Sequence, residues 1–310
     1  MDVFDAPCVL GAGPVGRAVV AALVELGAEP VVVTRSGTEL VGATARRADV
    51  GRPDEAAATL AGASVVFHAA QPPYHRWAEE FPALQRSVVA ACRAADAPLV
   101  AVDNLYGYGA PAGPMTEASP VAPASDKGRV RARMWDDLLA AHRAGQLDVA
   151  AVRASDFLGP WVLQSAYGER FVGRLTGGRK AEVLGSPAAL HSVTYPPDLA
   201  RAMVAVAADP RLRGRVWHAP CAPAVAQVEL VEQVARAAGV EPRSAVVKRW
   251  QLRLAGLIVP AAGEVAEMVH EFEHDFVVDS SAFEAATGHT ATPLAEAVAS
   301  AVAWYRARST

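Results

Sequence analysis

Short apolar runs alternate with amphipathic stretches through the first half of this chain. The apolar runs are rich in valine and alanine, have the length of strands, and end near residues 10, 35, 48, 70, 103 and 153. The stretches between them space their apolar residues as a helix does, most clearly from an Asp54 N-cap to Ala61 and over 82–96 and 127–143. Strands that alternate with helices predict an α/β fold with a doubly wound, parallel sheet of the Rossmann type.

The pattern becomes less regular beyond Pro160. An extended piece at 191–195 precedes a helix at 198–208 and a short strand at 215–218, and the remainder is mostly helical. We expect a dinucleotide-binding domain over residues 1–157, to which the strand near 215–219 returns. Residues 158–190 and 220–310 are expected to form a smaller, mostly helical substrate lobe.

Three glycines follow the first apolar run with the spacing G-x-G-x-x-G. In dinucleotide sites this spacing allows a tight turn, brings the backbone close to a pyrophosphate and lets the next helix pack on the strand. The free N–H groups at the start of that helix attract phosphate. A plain glycine turn is the alternative, but the position between a strand and a helix favours a cofactor site formed by Gly11, Gly13, Pro14, Val15 and Gly16.

The second predicted strand ends in Thr34-Arg35-Ser36. An NAD site has an acidic residue near this point, where it binds the ribose 2′-hydroxyl, whereas an arginine suits the 2′-phosphate of NADP. A solvated arginine at a strand end is the alternative. We expect NADP, with Thr34, Arg35 and Ser36 at its 2′-phosphate.

Composition argues against several classes of function. The net charge of −4 provides no basic surface for nucleic acid. The cysteines, Cys8, Cys92 and Cys221, are scattered as in proteins of a reducing compartment. Since neither a signal peptide nor a run of about 18 apolar residues is visible, we expect a cytoplasmic protein with a small-molecule substrate and without membrane or nucleic-acid partners. The sequence is also compatible with a homodimer.

The order of these motifs resembles that of the short-chain dehydrogenase/reductase superfamily in its extended form, the NAD-dependent epimerase/dehydratase proteins. The likeness spans nearly the whole chain and rests on the glycine turn and on Asp49-Val50, Phe67-His68-Ala69-Ala70, Tyr108-Gly109, Val152-Arg153, Gly159-Pro160 and His191–Tyr195. The glycine spacing is that of atypical members, since extended members place a glycine where Leu10 stands. The resemblance implies that Asp49, Val50, His68, Ala69 and Ala70 also border the cofactor, although His68 is otherwise explained as a packed residue at a strand end.

The resemblance also implies a catalytic triad that this chain lacks. The family carries Ser or Thr four residues before the tyrosine of the Tyr-Gly pair, and Tyr-x-x-x-Lys on the following helix. Asn104 stands at the first of these positions here, and matching the helix places Lys127 and Arg131 at the other two.

A lysine can replace the tyrosine chemically, because both side chains lose a proton near about pH 10 in water. A neighbouring arginine disfavours the protonated amine by charge repulsion, so Lys127 and Arg131 are a candidate acid/base pair. Asn104 is a candidate donor to a substrate carbonyl, and Tyr106 is a reserve catalytic residue in the same loop. The alternative is that Lys127 and Arg131 only hold cofactor hydroxyls or phosphates, or face solvent.

The segment His270–His274 matches H-E-x-x-H, the pattern in which two histidines on one helical face bind zinc with a third ligand. Glu267 lies one turn earlier, but the longer pattern with a glycine and a third histidine is missing, and 276–278 has the composition of a strand. We expect a charged helix end here and no metal site.

Two functions remain open, and a third, metal-dependent hydrolysis, rests only on the His270 motif. The first is an NADP-dependent oxidoreductase or epimerase/dehydratase-like enzyme with an atypical active site, acting on a small hydroxyl or carbonyl substrate between the two domains. The second is a catalytically impaired NADP-binding protein of the same fold, a sensor or binding module. The glycines and Arg35 support both, and the missing tyrosine favours the second, so the sequence does not decide whether the chain is an enzyme.

Overall fold

The computed structural model describes residues 3–110, 112–258 and 260–309. In chain order, its strands are β1 (Pro7–Leu10), β2 (Val31–Thr34), β3 (Thr44–Arg47), β4 (Val65–His68), β5 (Leu99–Asn104), β6 (Val149–Ala154), β7 (Asp156–Phe157), β8 (Ala181–Leu184), β9 (Leu190–His191), β10 (Val193–Thr194), β11 (Val216–His218), β12 (Val225–Ala226) and β13 (Ser244–Val247). The ends of the two units expected from the sequence, residues 1–2 and 310, lie outside the described residues.

The helices of the described part lie between and after these strands. They are α1 (Pro14–Glu25), α2 (Pro53–Leu60), α3 (Trp77–Ala95), α4 (Asp126–Arg143), α5 (Arg174–Thr176), α6 (Pro196–Ala208), α7 (Gln227–Ala237), α8 (Arg249–Gly256), α9 (Pro260–Met268), α10 (His270–Glu273), α11 (Ser281–Thr287) and α12 (Leu294–Ser309). Among the helices described, none is long and apolar enough to cross a membrane.

Seven parallel strands form the central sheet in the order β11-β6-β5-β4-β1-β2-β3. This arrangement confirms the doubly wound parallel α/β fold expected from the alternation of strands and helices. The strand order reverses between β1 and β4, and ligands of such sheets bind in the crevice at the carboxyl ends of the strands at that point. β11 pairs with β6, so the chain returns to the sheet near residue 216.

Helices cover both faces of the sheet, which explains why β1, β4 and β6 are buried along their whole length. Helices α1 and α6 share one apolar core with the sheet, and α2, α3 and α4 share another on the opposite face. A third core joins β8, α7, α10 and α12, with Phe171, Leu230, Phe272 and Val298 at its centre. Apart from Val193, the buried residues of this third core belong to the segments expected to form the substrate lobe.

Two helix boundaries expected from the sequence are wrong. Asp54 is not the N-cap of α2; Arg52 is, and Asp54 lies in the first turn. Proline is favoured at the first helical position and a carboxylate in the first turn, so this start is well stabilised. α3 begins at Trp77 rather than Pro82, because Trp77 and Phe81 pack against α4 and this burial outweighs the proline inside the helix.

Candidate functional site

The turn between β1 and α1 brings three backbone segments together. Gly11 has a φ of +98°, which favours glycine, and its N–H donates to the Val33 carbonyl at 2.9 Å. A Cβ atom on Gly16 would lie 1.9 Å from the Gly11 carbonyl oxygen, so only glycine fits there. At Gly13, by contrast, no heavy atom lies within 4 Å of the Cβ position. The structure therefore leaves open space beside Gly13, at the N-terminus of α1.

The crevice between β1 and β4 is narrow at its base. A Cβ atom on Gly11 would come within 3.0 Å of both the Ala69 oxygen and the Ala70 nitrogen, so the residues after β4 lie directly against the glycine turn. Pro14 and Val15 begin α1 on the other side, with Val15 buried. Because the first N–H groups of a helix have no intrahelical partners, this crevice suits a phosphate.

The end of β2 presents the residues expected at the 2′-phosphate. Thr34 Oγ1 accepts a hydrogen bond from the Thr38 N–H at 2.8 Å, and Ser36 Oγ lies 2.8 Å from Thr38 Oγ1. These bonds hold the backbone after β2 in a turn. Arg35 is exposed and makes no ion pair within the described residues. Its guanidinium is therefore available to an anion.

Asp49 and Val50 lie between β3 and α2. The Asp49 carboxylate accepts from the Gly51 N–H at 3.0 Å, and the Asp49 N–H donates to Glu55 at 2.8 Å. Val50 is buried. The hydrogen bonds of Asp49 and the burial of Val50 therefore stabilise the turn before α2.

His68 ends β4 as a buried and uncharged side chain. It packs edge-on against Phe81, and neither ring nitrogen has a hydrogen-bond partner in the described structure. It lines a cavity of about 10 Å³, enough for one water molecule, together with Gln85 and Arg131. Burial, and then the charge of Arg131, lower the pKa of His68 to about 4. The ring therefore stays neutral at physiological pH.

Arg131 forms an ion pair with a buried carboxylate, that of Asp103, which no sequence motif marks as a site residue. Asp103 of β5 accepts from Arg131 Nε at 2.7 Å and from Arg153 Nε at 2.8 Å, and Arg131 also donates to the Val102 carbonyl at 2.7 Å. Burial alone would raise the pKa of Asp103, but the two guanidinium groups outweigh it and lower this pKa. Arg131 thus joins α4 to β5, and Asp103 compensates its charge.

Lys127 is buried in the first turn of α4, beneath α9. Its amine donates to the carboxylate of Glu264 and to Glu267 Oε2, the latter at 3.0 Å. Glu267 Oε1 also accepts from the Asp126 N–H at 2.6 Å, so α9 is fastened to the start of α4. The ring centre of Tyr74 lies 4.7 Å from the amine. No sequence pattern pairs either glutamate with Lys127, because 137 and 140 residues separate them from it.

Asn104 and Tyr106 lie at the end of β5, beside Tyr74. Asn104 Oδ1 accepts from the Tyr106 N–H at 3.2 Å, which leaves the amide NH₂ of Asn104 for another partner. The Tyr74 hydroxyl donates to the Tyr106 hydroxyl at 3.3 Å. Burial, followed by the charges of neighbouring groups, raises the pKa of Tyr106 well above its usual value, and burial also raises the pKa of Tyr74. Both phenols therefore keep their protons at neutral pH and act as donors rather than bases.

Two carboxyl groups from later in the chain act on Tyr106. The charges of Glu271 in α10 and Asp156 in β7 add to the burial that raises the pKa of Tyr106. Asp156 Oδ2 lies 3.1 Å from His191 Nε2, and the His191 ring stacks on Phe272 with 4.5 Å between ring centres. The sequence analysis assigned no site role to Asp156 or His191. The position of Asp156 directly after the predicted sixth strand is the signal that could have indicated one.

The H-E-x-x-H segment does not form the helical face that a zinc site needs. α10 ends at Glu273, and His274 is extended with φ −133° and ψ 171°. His270 Nδ1 lies 3.0 Å from the Glu267 carbonyl oxygen. In the parts of the chain that the structure describes, no group of three or more His, Cys, Asp or Glu side chains is arranged to hold a metal ion.

Comparison with known proteins classifies this fold and crevice. The family model described as the NAD dependent epimerase/dehydratase family matches residues 8–218, which reach from β1 to β11. The chain therefore belongs to the NAD-dependent epimerase/dehydratase family, and the resemblance seen in the sequence motifs is confirmed. A comparison with curated protein sequences finds no match.

Solved structures share the fold over almost their whole length. MoeE5 in complex with UDP-glucose and NAD has a TM-score of 0.80 at 23% identity, with 99% of this chain and 100% of that chain covered. UDP-glucose 4-epimerase of Thermus thermophilus, in complex with NAD, has a TM-score of 0.78 at 19% identity, with 97% and 99% covered. DesIV, a dTDP-glucose 4,6-dehydratase from Streptomyces venezuelae with NAD bound, has a TM-score of 0.80 at 20% identity, with 97% of both chains covered.

Proposed function

We propose that the crevice between β1 and β4 binds NADP(H). A pyrophosphate fits at the N-terminus of α1, because Gly11 and Gly16 lie in close contact and the space beside Gly13 is open. The related structures above hold NAD. The preference for NADP rests on Arg35, which is exposed where an NAD site has a carboxylate.

We further propose that the chain is an oxidoreductase or epimerase/dehydratase-like enzyme for a small hydroxyl or carbonyl substrate. A bound nicotinamide would supply hydride transfer, so the protein must hold the substrate oxygen and move its proton. The observation that carries this proposal is the cluster of donors at the end of β5, in which Lys127, Tyr74, Tyr106 and Asn104 are linked by short contacts.

Lys127 is the proposed proton donor. An ammonium group has three N–H donors, and Glu264 and Glu267 accept from it. One N–H therefore remains for a substrate oxygen. After the amine has given up a proton, solvent can restore it by way of the carboxylates of Glu264 and Glu267, which are partly exposed, and general acid catalysis needs such a supply.

Asn104 and Tyr106 are the proposed binding groups for the substrate oxygen. The free amide NH₂ of Asn104 and the protonated hydroxyl of Tyr106 are both donors. Arg131 acts as a positioning residue, because its bonds to Asp103 fix the helix turn that follows Lys127.

We propose that two different parts of the chain bind the cofactor and the substrate. Residues 1–157, with the strand at 216–218, would hold the cofactor, and residues 158–190 and 220–310 would hold the substrate. The third apolar core and the carboxyl groups of α9 and α10 support this division, since they come from the second set of residues.

A second candidate is an NADP-binding protein that performs no catalysis. It is favoured by the ion pairs of Lys127, since an amine bound by two carboxylates also serves as a purely structural link between α4 and α9. In this case the crevice would still bind the cofactor, and the substrate lobe would respond to cofactor binding.

NADPH consumption across a panel of small carbonyl compounds tests the proposal. We expect activity with the unmodified protein and a loss of about 10²–10⁴-fold in Lys127→Met, the size of effect that general acid catalysis has. Lys180→Met, at an exposed lysine, is the matched control and should retain activity. Full activity of Lys127→Met would refute the role of Lys127, whereas NADPH binding without consumption on any compound would favour the second candidate.

A further inference from the structure

Three buried polar atoms around Phe272 have no hydrogen-bond partner among the described residues. They are Glu271 Oε1, the Tyr167 hydroxyl and His191 Nδ1, on side chains that are 3%, 1% and 1% exposed. The rings of Tyr167 and His191 have centres 5.5 Å apart, and His191 stacks on Phe272, which follows Glu271 in the chain. Buried polar atoms are nearly always hydrogen-bonded, and of these three side chains Glu271 lines a cavity in which a ligand can supply the missing partner.

Asp156 contacts one of these three groups and acts electrostatically on the other two. Its carboxylate bonds to His191 Nε2. After burial, the charge of Asp156 is the next cause that raises the pKa of Tyr167 and the pKa of Glu271. Both causes disfavour the ionised form of Glu271, and a cation beside the carboxyl group would stabilise that form.

Glu271 lines a cavity of about 190 Å³ between the loop after Tyr108 and the segment 270–276. The other described residues that line it are Gly109, Ala110, His270, His274, Asp275 and Phe276. Of these described residues, none is an arginine or a lysine. The cavity is smaller than the range of about 300–1,000 Å³ that holds drug-sized ligands, so it suits one end of a small molecule and not a nucleoside diphosphate.

The electrostatic character of the whole region is acidic. Asp156, Glu264, Glu267 and Glu271 contribute carboxyl groups, and Lys127 is bound by two of them. The nearby guanidinium of Arg131 is committed to Asp103. A phosphate or carboxylate group would meet like charges here, whereas an ammonium group would meet opposite ones.

We propose that this cavity binds the amine end of a small hydroxyl- or carbonyl-bearing substrate, with the unpartnered carboxyl group of Glu271 facing the ammonium group. The inference rests on the proposed function, since it treats the cavity as the continuation of the cluster around Lys127 and Tyr106. It separates this substrate from the UDP-glucose bound in the related MoeE5 structure, because the diphosphate of a sugar nucleotide is anionic.

Two sets of matched probes test the charge preference at neutral pH. One set is 2-amino-1,3-propanediol, glycerol and glycerol 3-phosphate; the other is glucosamine, glucose and glucose 6-phosphate. Ligand-observed NMR and calorimetry with NADP⁺ present give the dissociation constants. In at least one set, we expect the amine to bind about tenfold or more tightly than its neutral and phosphorylated partners, as a desolvated charge pair would produce.

Glu271→Gln is expected to abolish this preference and to fold normally, because glutamine has the shape of the protonated carboxyl group. Glu241→Gln, at an exposed position of the same lobe, is the control and should preserve it. Asp156→Asn provides a second variant and should weaken amine binding in the same direction. Equal or tighter binding of the neutral or phosphorylated probes in both sets, or no amine binding in either, would overturn the inference.

NADP⁺ titration of the same samples, followed by tryptophan fluorescence, separates this inference from the proposed function. Amine preference without NADP⁺ binding would refute the cofactor proposal and leave the amine site standing. NADP⁺ binding without amine preference would refute the amine site alone.

Discussion

Lys127 and Glu267 are 140 residues apart in the chain, yet Lys127 Nζ lies 3.0 Å from Glu267 Oε2. Glu264, on the preceding turn of α9, binds the same amine. The contact joins α4, which packs on the central sheet, to α9. The donors proposed to hold the substrate lie at the end of β5.

Removing both carboxylates, in Glu264→Gln with Glu267→Gln, is expected to lower the free energy of unfolding by about 1–3 kcal/mol, because a buried charged donor loses its partners. Equilibrium urea unfolding measures this loss. Adding Lys127→Met should recover part of it, since no unpaired charge then remains. Glu241→Gln is the control and should leave stability unchanged. Strictly additive losses in the triple variant would contradict the ion-pair interpretation.

The local parts of the structure could be predicted because they depend on neighbouring residues. The strand–turn–helix at Gly11 and Gly16 follows from spacing and backbone conformation within a few residues, and the alternation of apolar runs defines the sheet. Arg35 could be located for the same reason, since it ends a short strand. Its cofactor preference remains a prediction.

The contacts across the site could not be predicted, because they join distant segments. Nothing near Lys127 in the sequence indicates Glu264 or Glu267, which belong to a different helix. Asp103 ends an apolar run and was read as part of a strand, yet it is the carboxylate that holds both Arg131 and Arg153. Because the sequence does not reveal that carboxylate, the family motif and the helical spacing pair Arg131 with Lys127 instead.

Substitutions of Gly13 and Gly16 should have different effects, the first on cofactor binding and the second on folding. Gly13→Ala is expected to leave stability almost unchanged, because its Cβ meets no atom, but to weaken NADP(H) binding by occupying the space beside the N-terminus of α1. Gly16→Ala should destabilise the fold itself, since its Cβ would overlap the Gly11 carbonyl. Thermal unfolding with NADPH titration measures both effects. Unchanged cofactor affinity in Gly13→Ala would show that the crevice does not bind the pyrophosphate.

Arg35→Asp should reverse the cofactor preference. We expect NADP(H) affinity to fall by about 10- to 150-fold, the value of a charge-assisted hydrogen bond of about 1.5–3 kcal/mol, while NAD(H) affinity holds or rises. Fluorescence titration of both cofactors gives the ratio. Arg86→Asp, which makes the same charge change at an exposed site on α3, controls for net charge. Equal affinity of the unmodified protein for the two cofactors would refute the NADP assignment.

The titration of Glu271 makes the stability of the folded protein depend on pH, and the surroundings of its carboxyl group set the direction of that dependence. Burial, and then the charge of Asp156, raise the pKa of Glu271 well above its usual value. The folded protein therefore holds a proton that the unfolded chain releases above about pH 4.3. Since the folded state binds more protons, this group lowers stability as pH rises from the unfolded pKa through the folded one.

Glu271→Gln removes that titration and should therefore be more stable than the unmodified protein at about pH 8, while the two differ little at about pH 4. Equilibrium urea unfolding at a series of pH values measures the difference. Glu241→Gln should follow the unmodified protein throughout, because its carboxylate is exposed. A stability difference for Glu271→Gln that is the same at every pH would show that packing, and not the buried proton, distinguishes the two proteins.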